Sequence, residues 1–207
     1  MKKTIKRIAF LLLFVSLAFG TTVGPTLVGT GADGGGGAVG WVNPGNITAN
    51  DGVLATATSI AVSQNTNFLN GTMGANAFSV PAGATILGIQ VDAVREAAQA
   101  TDVVEATIQL LKAGTRVGTN QTLSNFLPTT LTSVTYGGSS NLWGTTWTSS
   151  EVNASNFGVS FQWSIGTNGD VVSVDYMQIT VTYTPPAGGM GKRVIRTQTR
   201  TARQQAA

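Results

Sequence analysis

Between a glycine-rich start and a double proline near its end, this chain alternates apolar and polar residues with a period of two. Phe157, Val159, Phe161, Trp163 and Ile165 share one parity, and Gly158, Ser160, Gln162 and Ser164 the other. Such alternation predicts a half-buried β-strand with one face on a core. Leu87, Ile89, Val91 and Ala93 alternate in the same way with Gly88, Gln90 and Asp92. Val104, Ala106, Ile108 and Leu110 alternate with Glu105, Thr107 and Gln109. Both runs are long enough for central strands. Leu131 to Tyr136 is a further candidate, and Val171 to Tyr183 a last one, with Met177, Ile179, Val181 and Tyr183 inward.

Turn chemistry separates these runs. Asn43-Pro44-Gly45, Asn50-Asp51-Gly52 and Val80-Pro81-Ala82-Gly83 combine preset proline φ with residues that tolerate positive φ. Thr148-Ser149-Ser150-Glu151 matches a capping box and predicts one helical turn over 149–155. Pro185-Pro186 ends the last strand, because proline cannot donate to a ladder. The pattern predicts an all-β fold: an antiparallel, jelly-roll-like sandwich of eight or nine strands.

The ends differ from this body. Residues 1–20 read as a secretory signal helix: a basic start, an apolar run from Ile8 to Phe19, and small residues Ala18 and Gly20 before the cleavage point. That run is shorter than the roughly 20 residues of a membrane span, so no span is expected after cleavage. Residues 21–38 form a glycine-rich leader, read as a linker or connecting loop. Asp33 and the four glycines after it lack the GK[ST] ending of a phosphate loop. The sandwich is expected over 39–184, with a Pro/Gly linker and a disordered basic tail over 185–207. The predicted location is extracytoplasmic, secreted or at a cell surface.

Several short pieces occur in one order: Trp41-x-Asn43-Pro44; Asp51-Gly52-x-x-Ala55-Thr56-Ala57; Tyr136-Gly137-Gly138-Ser139 with Leu142-Trp143-Gly144; Asn156-Phe157-Gly158-Val159; and Asp175 with Ile179-Thr180-Val181-x-Tyr183. Together they resemble a recurrent, mostly uncharacterised β-sandwich module of phage virion proteins and bacterial surface or exported proteins. The resemblance covers 39–184 and consists of structural punctuation. It implies a part in virion structure, adhesion or glycan contact, and it carries no catalytic residue.

Charge narrows the function classes. The formal net charge is +3, yet nine of the twelve basic residues lie in the two ends. Between Thr21 and Pro186, Arg95, Lys112 and Arg116 face all nine acids, a net of −6. An acidic body argues against a specific nucleic-acid footprint. The tail places Arg193, Arg196, Arg200 and Arg203 at spacings that would align on one helical face, a candidate contact for an anionic surface.

The chain has neither cysteine nor histidine, which removes disulfides, thiolate metal sites and the commonest general base. No cofactor is expected. Calcium is the one metal this composition leaves open, through oxygen ligands in the loops Asn50-Asp51 and Asn168-Gly169-Asp170.

Arg95 and Asp175 each fall on the apolar parity of a strand, so they are expected to form a buried structural ion pair. Trp41, Tyr136, Trp143 and Trp147 sit near turns and are candidate glycan platforms, with capping of the core ends as the competing role. The leading expectation is an exported, non-enzymatic structural or adhesive module meeting glycan, envelope or virion proteins. A carbohydrate-binding module using exposed tryptophans comes second. A glycoside hydrolase or lyase comes third, and would need two carboxylates facing one cleft.

Overall fold

The computed structural model describes residues 20–186 apart from Ile60, Val62 and Asn168. The signal segment and the arginine-bearing tail therefore lie outside the described residues. Within them the chain forms eleven strands and three short helical segments. The strands are β1 (Thr21–Leu27), β2 (Thr30–Asp33), β3 (Ala55–Thr58), β4 (Gln64–Asn65), β5 (Leu69–Thr72), β6 (Thr85–Ala97), β7 (Val103–Lys112), β8 (Thr115–Val117), β9 (Thr132–Gly138), β10 (Gly158–Ile165) and β11 (Val171–Thr184). A helical turn, α1 (Ser149–Val152), carries the expected capping box: Thr148 and Glu151 bond each other's backbone N–H.

Two antiparallel sheets pack face to face. One runs β1-β11-β6-β9, with β3 beside β1 on the same edge of β11; the other runs β2-β5-β10-β7-β8, with β4 also on β10. Setting aside the short strands β2, β3, β4 and β8, the remaining seven alternate between sheets as a jelly roll does. The odd-numbered side chains from Phe157 to Ile165 are all fully buried between the sheets, as their alternation predicts.

The glycine-rich leader is not a linker. Its residues supply β1, which pairs with β11, and β2, which pairs with β5. The sandwich thus begins at Thr21 rather than at residue 39. Its glycines serve close approach. A Cβ on Gly31 would lie 2.0 Å from the Pro44 carbonyl oxygen, and one on Gly37 would lie 2.0 Å from that of Thr66. Only glycine lets backbones pass so near one another.

Of the register shifts in the two sheets, two reset the alternation next to acidic residues. On β7 the register against β10 shifts at Ala106: Thr107 faces Gln162, while Glu105 faces Trp163. Glu105 consequently turns inward together with Val103, while Ile108 and Leu110 keep the parity expected of them. On β11 a shift between Val174 and Met177 makes Val172 and Val174 the core residues before it, and Met177, Ile179 and Val181 those after it. An extra residue in one strand does this, because side-chain direction flips with every step.

Candidate functional site

Arg95, on β6, points into the sandwich as its parity predicts and is 2 % exposed. Its partner is Glu105, across the interior on the other sheet. Arg95 Nη2 donates to Glu105 Oε1 at 2.8 Å, and Nε donates to the same oxygen at 3.2 Å. Tyr136, inward from β9, completes the cluster: its hydroxyl donates to Glu105 Oε1 and accepts from Arg95 Nε at 3.2 Å. The second oxygen of Glu105 accepts the Leu123 N–H at 2.6 Å, tying the β8–β9 connection to the core.

Burial penalises the Arg95 charge, but Tyr136 and Glu105 outweigh it and hold the guanidinium above its usual range. Burial, reinforced by the charge of Glu105, pushes the Tyr136 phenol well above its usual range despite the nearby arginine. The phenol therefore stays protonated as a donor. The cluster is a charge-assisted clasp between sheets.

Asp175 does not join it. The β11 bulge turns it off the core face, where the Asn50–Gly52 turn covers it and Gly52 donates its N–H to Oδ1 at 3.0 Å. The expected pair of Arg95 with Asp175 is replaced by Arg95 with Glu105.

The four proposed aromatic platforms are all interior. Trp143 is fully buried, Tyr136 is 2 % exposed, and Trp41 and Trp147 are 7 % exposed. Their polar atoms are engaged: Trp41 Nε1 donates to the Asn67 carbonyl at 2.8 Å, Trp143 Nε1 to that of Ile89 at 2.9 Å, and Trp147 Nε1 to that of Leu142 at 3.1 Å. Trp41, Trp163, Phe161 and Tyr136 meet edge to face in sequence, at centroid distances of 5.4, 5.5 and 5.2 Å. This row of rings leads from the β2 side of the core to the Arg95 clasp. Burial leaves these rings no open face on which a sugar could stack.

The surface feature nearest the clasp is a cleft of about 350 Å³. Arg95 lines its base; Leu123, Phe126, Pro128 and Val134 give it apolar walls, with Asn125, Thr132 and Ser133 at the rim. Phe126 is 48 % exposed. No carboxylate is among these lining residues, so the cleft lacks the acid–base pair that glycoside hydrolysis needs. Sequence reasoning missed Glu105, Leu123 and Phe126. With the buried Leu127, Leu123 and Phe126 are the large apolar residues of the otherwise polar stretch GTNQTLSNFLPTT, and that was their available signal.

Of the calcium candidates, Asp51 caps its own turn by accepting the Val53 N–H at 3.0 Å. Asp170 is fully buried; Oδ1 accepts N–H groups from Val171 at 2.7 Å and Gln99 at 3.1 Å, while among the described residues no donor reaches Oδ2. Asn168 lies outside the described residues. Burial, with Asp102 close by, raises the Asp170 carboxyl above its usual range. Two carboxyls facing each other favour one shared proton. Among the described residues no group of three or more acidic side chains gathers to hold a metal, and no helix is long and apolar enough to cross a membrane.

No protein-family model matches the chain, and no curated protein sequence matches it.

Proposed function

We propose that this chain is an exported, non-enzymatic β-sandwich module with a structural or adhesive role at a cell envelope, in a secreted assembly or in a virion. The observation that carries this reading is where its reactive and aromatic side chains go. Arg95, Glu105, Tyr136 and the four tryptophans are all directed to joining strands and sheets. What the body presents outward is a shaped, acidic surface with one apolar-walled cleft. Such a surface suits contact between macromolecules better than turnover of a substrate.

Fractionation of cells producing the full chain tests the proposal. The protein is expected in an extracytoplasmic, envelope or assembled-particle fraction, with its mature N-terminus just beyond Gly20. Recovery from the cytosol with residues 1–20 still attached would overturn the reading.

A further inference from the structure

Strand β9 is an edge, and unlike the other edges it is unguarded. It has seven residues, Thr132–Gly138, and among the described residues pairs only with β6, on one side. Among the described hydrogen bonds its backbone reaches β6 and, at Gly138, the N–H of Asn141. The opposite edge of that sheet is blunted. There β1 carries Pro25 and an irregular register between Val23 and Thr26, and β3 has just four residues. In the other sheet the edges are short: β2 has four residues, and β8 has three including Arg116. Proline, charge, bulges and brevity are the usual devices that keep an edge from pairing with another chain. From Thr132 to Tyr136 β9 has none of them; its regular backbone ends at Gly137 and Gly138, which both take positive φ.

We propose that β9 is a dimerisation edge, pairing antiparallel with β9 of a second copy about a twofold axis. Three observations favour a second copy as the occupant. An antiparallel strand edge is its own complement, so no other sequence is required. Thr132 to Gly138 carry no charged side chain, so two copies bring no like charges face to face there, although each body has a net charge of −6. An apolar rim adjoins the start of the strand. Leu123, Phe126 and Leu131 are three of the five large hydrophobics left exposed among the described residues. Pairing along β9 continues the sheet from one copy into the next and brings each rim toward its neighbour. The cleft above Arg95 lies at that junction, with Thr132, Ser133 and Val134 among its lining residues. The inference is independent of the proposed role and of where the protein resides.

Because the chain has no cysteine, single substitutions give clean cross-linking probes. Thr132→Cys, Ser133→Cys, Val134→Cys and Thr135→Cys, each in the full chain, are oxidised and compared with Thr22→Cys on β1. A covalent dimer is expected at one or two adjacent β9 positions and not at Thr22. Sedimentation of the unmodified chain across a hundredfold concentration range is expected to move from monomer to dimer. Ser133→Lys, an exposed change that leaves the core untouched, is expected to raise the dimer dissociation constant at least tenfold. Should Ser133→Lys fail to fold, amide exchange on the unmodified chain replaces it: β9 is expected to gain protection as concentration rises. A monomer throughout, or a dimer that cross-links at Thr22 and not at β9, would overturn the proposal.

Discussion

Arg95 and Glu105 belong to consecutive strands yet meet across the interior, with Nη2 and Oε1 2.8 Å apart and one residue on each sheet. A buried ion pair is costly to create and more costly to break, because the survivor is left charged without water or partner. Glu105→Ala is therefore expected to destabilise the fold by about 3–5 kcal/mol. The double change Arg95→Met with Glu105→Leu should recover most of that loss. Chemical denaturation of the two variants checks this, and equal losses would contradict it.

Trp143 and Trp163 are both fully buried but differ in their hydrogen bonding. Trp143 Nε1 donates to the Ile89 carbonyl, whereas Trp163 Nε1 has no partner among the described residues. Both Trp→Phe changes remove similar volume, but only the first orphans a carbonyl. Trp143→Phe is expected to cost about 1–2 kcal/mol more than Trp163→Phe. Thermal unfolding of the two variants measures the difference directly.

Asp170 has the reverse pH sign from most acids. Its carboxyl is raised in the fold, so its contribution is fully present below the ordinary carboxylate pKa and is lost as pH rises through the raised value. Asparagine keeps the oxygen that accepts from Val171 and Gln99 and offers Asp102 a permanent donor. Asp170→Asn is expected to be more stable than the parent by about 1 kcal/mol at neutral pH, with the gap closing in acid. Stability measured against pH for both proteins tests the sign.

Asp33 behaves conversely. Burial alone would lift its carboxyl, but N–H bonds from Trp41 at 2.8 Å and Gly35 at 2.8 Å, with the Asn67 amide at 3.1 Å, hold it below its usual range. Its contribution is present above the ordinary pKa and is lost as pH falls through the lowered one. Asp33→Asn should cost a modest ~0.5 kcal/mol at neutral pH, since water competes at this exposed carboxylate. In strong acid, where the parent has lost the same contribution, the difference should vanish.

Fold class was readable because alternation is a local property, and eight core positions, five from Phe157 to Ile165 and three from Met177 to Val181, kept it. The clasp was only half readable. Arg95 followed its parity, but Glu105 was assigned to water and Asp175 to the core, each on the wrong side of a bulge. An extra residue in a strand leaves no compositional mark; Ala106 looks like any small strand residue. The leader was misread for a related reason. Glycine signals either freedom or crowding, and only the position of Pro44 and Thr66 in space reveals which. The aromatic residues near turns were equally ambiguous, since a ring beside a loop can face either way.

In the finished sandwich Thr21 lies against Tyr183, and Thr22 against Thr182. The earliest-made strand thus waits for the latest-made one, and a chain emerging in order cannot seal this sheet until synthesis has passed β11. Closing so large a loop is entropically slow, so the nascent polypeptide stays open longer than a protein of local hairpins would. The same adjacency brings both ends of the domain out at one corner, where a cut-and-rejoin rearrangement linking residues 20 and 186 would need little added chain.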